Sequence, residues 1–284
     1  MISGHPRLTP ARPDLAAQSL RGVVEAPRYV EPRPMRVVAP VASLRREPRP
    51  DAALDTQLLM GEPFAVFDED KEGFAWGQSG WDAYVGYVSR EALGPAEPAP
   101  THRVAALSTP VYPGPSLKLP TETFLPINAE VAVAGEEKGY ARLAGGGFVH
   151  AAHLAPLGTS EPDFVAVAER FLHTPYLWGG RTGLGLDCSS LVQMAMRAAG
   201  IAAPRDSDMQ EAFIGEKLVA EEALSQLRRG DLVFWKGHVA IMLDDTRMIH
   251  ANGHHMAVAI EPFEDARARI LASSYGAVTS VRRP

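Results

Sequence analysis

Cysteines, long apolar runs and basic clusters are scarce in this chain. It has one cysteine among 284 residues, so no disulfide can form within it and no oxidising compartment is required. No stretch approaches the length of a membrane span, and residues 1–22 lack the apolar segment of a signal peptide. The formal net charge of −6 argues against a nucleic acid or an anionic membrane as partner. We expect a soluble, cytoplasmic protein, although export by another route stays open.

The length and the changes in composition predict several domains. Residues 1–34 are rich in proline, arginine and alanine and have little apolar periodicity, which predicts an N-terminal arm without a core of its own. Residues 35–94 show short alternating apolar runs separated by Gly, Pro and Asp. That pattern is typical of a small all-β barrel.

Residues 102–157 repeat the plan of residues 35–94. The segment "EGFAWGQ" is matched by "KGYARLA", and "GYVSREAL" by "GFVHAAHL", in the same order. A linker, "GPAEPAP", separates the two copies. We therefore predict two small all-β barrels, and tandem barrels of this size resemble the bacterial SH3-like domains that accompany cell-wall enzymes.

A third domain is predicted from residue 160 to residue 284. It begins with an amphipathic helix over "DFVAVAERFLHT", for which Ser160 or Asp163 is a candidate cap. Helical spacing from Leu191 predicts a second helix that ends at Gly200. The later segments "GDLVFW", "HVAIML" and "RMIHA" have the character of strands. Helices first and a sheet later predict an α+β fold.

The single cysteine, Cys188, lies at the start of the second predicted helix. The unpaired backbone N–H groups and the dipole of a helix N-terminus favour a thiolate, so we expect a lowered pKa for Cys188. The alternative is that Cys188 is a small buried apolar side chain, which is the commonest fate of a free cysteine. A thiolate nucleophile also needs a base within reach and a group that orients the base.

Two histidines downstream of Cys188 meet these needs. His238 opens a predicted strand after a tight break at Lys236 and Gly237, and His250 follows twelve residues later on the next strand. A hairpin with its turn near Asp244 places the two imidazoles close together on one face. A lone strand histidine is more often an ordinary side chain, but the pair beside a helix-start cysteine indicates a papain-like triad.

Five segments resemble, in order and spacing, the motifs of NlpC-type cysteine peptidases, which are papain-like enzymes that cleave peptides of bacterial peptidoglycan: "YLWGG", "LDCSSL", "GDLVFW", "HVAIML" and "IHA". The resemblance covers residues 160–284. It implies that Cys188 is the nucleophile, His238 the base and His250 the residue that orients the base, with no cofactor and no metal. Ser190 stands where the family usually has glycine.

Tyr176 lies in "PYLWGG", which is similar to the tyrosine-bearing loop of the same family. A tyrosine hydroxyl there can donate a hydrogen bond to an oxyanion, together with the backbone N–H of Cys188. The alternative is that Tyr176 only packs against its neighbours.

The segment "PRDSDMQ", residues 204–210, resembles a motif of one subgroup built from two SH3-like domains and the peptidase. Members of that subgroup are γ-D-glutamyl-L-diamino acid endopeptidases that act on free murein peptides with an unblocked N-terminal L-Ala. An enclosed ammonium group needs fixed carboxylates to offset its desolvation. The resemblance implies that five side chains surround the substrate's N-terminus: Asp187, Ser189, Asp206, Tyr84 and Glu47. Tyr84 has the alternative role of covering its barrel, and Glu47 that of a solvated loop charge.

Other functions stay open on the sequence alone. His250, His254 and His255 are spaced like zinc ligands, although no carboxylate or second cysteine is seen to complete the set. The paired barrels suit a wall-binding protein without activity, but both the nucleophile and the base are present. A lytic enzyme that acts on intact wall, and a papain-like acyltransferase or amidase, use the same thiol and imidazole.

Overall fold

The computed structural model describes residues 5–218, 224–273 and 275–284. The chain divides into two compact units, residues 1–157 and 158–284. Separate clusters of buried apolar side chains lie in the two units, so each unit has its own core. Within the described ranges, no helix is long and apolar enough to cross a membrane.

The N-terminal arm forms a small sheet. Its strands are β1 (Ala11–Arg12), β2 (Leu15–Ala17) and β3 (Tyr29–Val30). Leu15 and Ala17 pack with Phe67 and Trp76 of the following domain, and the Arg12 guanidinium lies 5.0 Å from the centre of the Trp76 ring. The arm therefore shares a core with its neighbour, which fits the prediction that it has none of its own.

The first β-domain is one antiparallel sheet in the order β10-β4-β7-β8-β9-β5-β6. Its strands are β4 (Arg33–Val37), β5 (Val41–Arg45), β6 (Leu54–Leu59), β7 (Pro63–Glu69), β8 (Phe74–Ser79), β9 (Val85–Ser89) and β10 (Leu93–Gly94). Alternate residues such as Leu44, Phe64 and Val88 are fully or almost fully buried. This alternation is the signal from which the sequence predicts a small all-β domain.

The second β-domain follows the same plan with shorter strands. They are β11 (His102–Val104), β12 (Ser108–Val111), β13 (Thr123–Pro126), β14 (Glu130–Val131), β15 (Val133–Glu137), β16 (Tyr140–Leu143), β17 (Phe148–His150) and β18 (Leu154–Pro156). The repeated segments of the sequence lie in β8 and β9 of the first domain and in β16 and β17 of the second, and each pair is antiparallel.

The second unit has a six-stranded antiparallel sheet in the order β21-β26-β22-β23-β24-β25. The unit's strands are β19 (Arg181–Thr182), β20 (Gly185–Leu186), β21 (Glu216–Leu218), β22 (Leu232–Trp235), β23 (His238–Met242), β24 (Arg247–Asn252), β25 (Ala257–Pro262) and β26 (Ser280–Arg283). Its described helices are α1 (Phe164–Glu169), α2 (Cys188–Ala198), α3 (Ser207–Phe213) and α4 (Phe263–Ala272). The predicted α+β fold is confirmed.

Two helices pack against the central strands of this sheet. The helix α2 contacts β23 and β24, and all its residues except Arg197 are buried. The helix α4 places Phe263 and Ile270 against Trp235 and Met242 of the sheet. Two elements that the sequence did not predict, the strand β25 and the helix α4, contribute side chains to the site described next.

Candidate active site

The start of α2 is held by a reciprocal pair of hydrogen bonds. The Asp187 carboxylate accepts from the Ser190 backbone N–H at 2.9 Å, and the Ser190 hydroxyl accepts from the Asp187 backbone N–H at 3.0 Å. This capping box places Cys188 at the first position of the helix, as predicted. The serine that departs from the family's usual glycine thus has a structural role.

A buried ion pair fixes Asp187. The Arg205 guanidinium donates to both Asp187 oxygens, at 3.0 and 2.7 Å, and the Gly179 backbone N–H donates to Oδ2 at 2.9 Å. Burial alone would raise the pKa of Asp187, but the Arg205 cation and the bonds from Ser190 outweigh it and lower the pKa. Both oxygens are therefore engaged within the protein, and a direct contact of Asp187 with substrate stays a prediction.

Arg205, the neighbour of Asp206, was not predicted as a site residue from the sequence. Arg205 is 1% exposed and also donates to the Ser189 hydroxyl at 3.0 Å. Gln210 of the same segment donates to the Ser189 carbonyl oxygen at 2.8 Å. The predicted ligand Asp206 is the partly exposed N-cap residue of α3. The "PRDSDMQ" segment therefore holds the start of α2 through two residues that were not singled out, Arg205 and Gln210.

The two predicted imidazoles lie together, as the hairpin argument required. Gly237 has a φ of +80° in the tight turn before β23, and Trp235 pairs with His238 across that turn. His238 Nε2 and His250 Nδ1 are 2.8 Å apart. Both residues are buried, with 5% of the surface of His238 and 1% of that of His250 exposed. The geometric prediction for this pair is confirmed.

One cavity of about 290 Å³ brings these groups together. The side chains that matter to its chemistry are Tyr176, Cys188, His238, His250, Arg269 and Tyr275. The Tyr275 ring stacks on His238 with ring centres 5.6 Å apart. Among the described residues, Asp206 does not line this cavity. A concave apolar site with a few polar groups is the usual form of a small-molecule or peptide site.

The protonation states differ from the sequence expectation. Burial raises the pKa of Cys188 to about 12, and the Asp187 charge adds to this, while hydrogen bonds from the Val239 and Ser189 backbones offset it in part. The expectation of a lowered cysteine pKa was wrong, because burial exceeds the effect of the helix terminus. Burial also lowers the pKa of His238 to about 3. The resting thiol and imidazole are both neutral, so a thiolate at Cys188 forms only when the thiol loses its proton.

A carboxylate and a guanidinium extend the chain of polar groups. His250 Nε2 lies 2.6 Å from Glu261 Oε1, and the Arg269 guanidinium forms an ion pair with the same carboxylate. Burial raises the pKa of Glu261, but the hydrogen bonds from His250 and Arg269 bring the pKa down to about 2. Neither residue was identified from the sequence. The signal lay in the β24–β25 register, which pairs Met248 with Glu261 and sets Glu261 on the face of His250.

Tyr176 lies in the cavity with Cys188, and Ser189 follows Cys188 in α2, while substrate contacts for both residues stay predictions. Tyr176 lines the cavity, and burial, with the Cys188 and Asp187 charges, raises the pKa of Tyr176 well above its usual value. Its hydroxyl therefore remains a donor. Ser189 is 5% exposed, and its hydroxyl donates to Asp187 Oδ1 at 3.2 Å.

Tyr84 and Glu47 lie in the first unit. Tyr84 is 4% exposed and packs in the core of the first β-domain. Glu47 is exposed and pairs with Arg49 at 3.0 Å. Both positions agree with the simpler alternatives, a side chain that covers the barrel and a solvated loop charge, and substrate contacts for the two residues stay predictions.

The Glu261 carboxylate lies beside two of the histidines in residues 250–255. Ligand atoms of His250, His255 and Glu261 lie within 4.8 Å of one another, so the statement that no carboxylate completes a metal set was wrong. His254, the third histidine of the predicted set, is not part of this group. The Arg269 cation on Glu261 opposes a second positive charge there. We interpret the group as a hydrogen-bond chain.

Comparisons with known proteins find matches in both units of the chain. Residues 173–269 match the NlpC/P60 family, and residues 44–93 match the bacterial dipeptidyl-peptidase SH3 domain. A γ-D-glutamyl-L-lysine dipeptidyl-peptidase of Bacillus cereus is 27% identical over 74% of this chain and 70% of its own length. Its counterpart in Bacillus subtilis is 28% identical over 71% and 73%. Dipeptidyl-peptidase 6 of Lysinibacillus sphaericus is 38% identical, but the match spans only 32% of each chain.

A solved structure shares the fold. The crystal structure of an NlpC/P60 family protein from Bacillus cereus superposes with a TM-score of 0.69, over 88% of this chain and 99% of that one. The sequence identity is 21%, so the likeness concerns the fold alone.

Proposed function

This chain carries an NlpC/P60 domain preceded by a bacterial SH3 domain, and from that premise we propose that it is a cysteine peptidase that hydrolyses peptides derived from peptidoglycan. The observation that carries the proposal is the cavity shared by Cys188, His238 and His250, with the two imidazoles hydrogen-bonded at 2.8 Å. NlpC/P60 peptidases are cysteine hydrolases, and both named relatives from Bacillus act on a γ-D-glutamyl-L-lysine bond by their names.

In the proposed first step, the Cys188 thiol passes its proton to His238 as its sulfur attacks the scissile carbonyl carbon. The developing oxyanion accepts hydrogen bonds from the Cys188 backbone N–H and the Tyr176 hydroxyl. The C–N bond then breaks, and the leaving amine takes the proton from His238. The acyl group stays on sulfur as a thioester.

In the second step, a water molecule gives its proton to His238 and attacks the thioester. The C–S bond breaks, the carboxylic acid product leaves, and Cys188 regains its proton. His250 holds the His238 ring in one orientation throughout. Because His238 is neutral in the resting site, it is available as a base at neutral pH.

For the substrate, we propose free murein peptides that begin with an unblocked L-Ala, cut at the γ-D-glutamyl-L-diamino acid bond. The "PRDSDMQ" motif and the names of the relatives support this choice. Asp206, Asp187 and Ser189 of the second unit are the proposed partners of the free ammonium. Acylation would remove the charge that these carboxylates balance, which we expect to lower the rate on the order of a thousandfold.

The test compares free and N-acetylated L-Ala-γ-D-Glu-L-Lys by mass spectrometry. We expect wild-type protein to release L-Ala-γ-D-Glu from the free peptide only, and Cys188→Ala to release nothing while its fold is unchanged. Asp206→Asn should lose activity on the free peptide, whereas the exposed neighbour Asp208→Asn should keep it.

Other outcomes would favour other functions. Equal cleavage of both peptides would point to a lytic enzyme that acts on intact wall. Transfer of the acyl group to an added amine, with no hydrolysis, would identify an acyltransferase. Retained hydrolysis in Cys188→Ala would remove Cys188 from the chemistry altogether.

A further inference from the structure

We propose that Glu261 is a positioning residue that fixes the tautomers of His250 and His238 and so leaves one nitrogen of His238 free to receive the Cys188 proton. The inference rests on the proposed function, since it concerns the base of that reaction. Glu261 is held by two side chains on different elements, His250 of β24 and Arg269 of α4. Its side chain is 13% exposed, so water competes little for its oxygens.

The tautomers follow from the order of donors and acceptors. Arginine only donates hydrogen bonds, and an ionised carboxylate only accepts them. Glu261 is therefore the acceptor in its 2.6 Å contact with His250 Nε2, which must carry a proton. A neutral imidazole has one N–H, so His250 Nδ1 is an acceptor and His238 Nε2 must donate across the 2.8 Å contact. His238 Nδ1 is then left without a proton.

The series of hydrogen bonds from His238 through His250 to Glu261 also stabilises the positive charge that the proposed reaction creates on His238. When His238 receives the Cys188 proton, it becomes a buried cation that is linked through His250 to an anion. The charge of Glu261 favours that cation, and the charge of Arg269 opposes it from the far side of the carboxylate. Arg269 thus holds Glu261 in place and keeps it ionised. Titratable groups near the chain are Cys188, Tyr176, Tyr275 and His255.

The sequence offers a matched control for Glu261 on the neighbouring helix. Glu264 is also a glutamate paired with an arginine, Arg267, at 2.9 Å. That pair is exposed, with 69% of the Glu264 side chain accessible, and the salt bridge stays within α4. A general effect of removing a glutamate charge from this region would appear equally in Glu264→Gln.

The first experiment reads the tautomers directly in protein with ¹⁵N-labelled histidine. At pH 7 we expect the Nε2 atoms of both His238 and His250 to carry the proton in the wild type. In Glu261→Gln, the amide can donate as well as accept, so the Nδ1-protonated form of His250 should appear. An Nδ1-protonated His250 in the wild type would overturn the proposal. This test uses wild-type protein alone, so it does not depend on whether any variant folds.

The second experiment measures alkylation of Cys188 by iodoacetamide at pH 7. Cys188 is the only cysteine, so the intact mass reports one adduct. We expect Glu261→Gln to react about tenfold more slowly than the wild type, as for other losses of an outer hydrogen-bond partner. His238→Gln sets the lower limit, and Glu264→Gln should match the wild type. Equal rates for Glu261→Gln and the wild type would contradict the proposed role.

Neither measurement needs a substrate, which separates this inference from the proposed function. Absence of peptide hydrolysis by the wild type, together with the expected tautomers and alkylation rates, would refute the substrate and keep Glu261 as a positioning residue. Hydrolysis by the wild type, with an unchanged kcat, KM and alkylation rate in Glu261→Gln, would refute Glu261 alone.

Discussion

At the scale of single residues, burial decides the protonation states in the cavity. A helix N-terminus favours a thiolate by about 0.3–1 kcal/mol at exposed sites. Cys188 is 7% exposed, and burial together with the Asp187 charge raises its pKa to about 12 in spite of the helix. In the proposed mechanism the nucleophile therefore forms by proton transfer to His238 during the reaction, which makes the groups that orient His238 part of catalysis.

His250→Ala tests that orienting role. The change removes the hydrogen bond to His238 Nε2, and we expect kcat to fall on the order of 100-fold with little change in KM, because the bond supports a state formed after binding. Steady-state kinetics on the free peptide provide the measurement. The control is His255→Ala, an exposed imidazole on the same hairpin, which should stay within about threefold of the wild type. A rise in KM at constant kcat would assign His250 to binding.

At the scale of elements, the sequence predicted those with strong local signals. The helix α2 has helical apolar spacing, and β22 to β24 are short apolar runs between turns. In contrast, β25 is mostly half-buried, and α4 buries only three of its residues. Elements with so little buried surface have a weak apolar period. Glu261 and Arg269 lie on these two elements, so the outer part of the site could not be predicted.

The segment around Arg205 shows a related limit. The motif in residues 204–210 was recognised, but which of its residues points inward depends on the packing of α3 against α2. A charged side chain is rarely buried without a partner. The partner of Arg205, Asp187, lies eighteen residues earlier in the sequence. Because an enclosed ammonium needs a carboxylate, Asp206 was singled out in this segment and the buried Arg205 was not.

Arg205→Gln should destabilise the second unit strongly. It leaves the Asp187 carboxylate buried beside a neutral amide, and loss of one partner from a buried ion pair costs about 3–5 kcal/mol. Native-state hydrogen exchange of amides in β23 and β24, which belong to the second unit, measures the free energy of unfolding of that unit. The matched control is Arg170→Gln, whose pair with Glu161 is partly exposed and whose loss should cost less than about 1 kcal/mol. Equal costs for the two variants would mean that the Asp187 charge is stabilised by other groups.

At the scale of the whole molecule, the two units should respond differently to acid. In the second unit, His238 and His250 are 5% and 1% exposed, and burial lowers both pKa values below those of free histidine. The strand β8 of the first unit contains no histidine. Because the units have separate cores, a single unfolding free energy does not describe the chain, and the two responses must be read separately.

The expected direction follows from proton linkage. The unfolded chain binds protons to these histidines below about pH 6.5, while the lowered pKa values in the folded second unit mean that it binds them only at lower pH. Their contribution to stability is therefore complete above pH 6.5 and falls as the pH drops towards the folded pKa, which is about 3 for His238. Glu261, with a folded pKa of about 2, begins to lose its contribution only below its ordinary pKa of 4.5. Between pH 6.5 and pH 5, the histidines dominate among these three groups.

We expect the second unit to lose up to about 1.4 kcal/mol per pH unit between pH 6.5 and pH 5 from His238, and the lowered pKa of His250 adds to the loss in the same direction. Hydrogen exchange of β23 and β24, corrected for the intrinsic effect of pH, measures this loss, and β8 is the internal control. His238→Gln removes one titrating ring and should make the loss of protection in β23 with falling pH smaller. Stronger protection of β23 at pH 5 than at pH 7 would show that the imidazoles are charged in the resting protein, because the folded unit would then bind more protons than the unfolded chain at pH 7. The thiol and the base would then meet as an ion pair, and proton transfer would precede substrate binding.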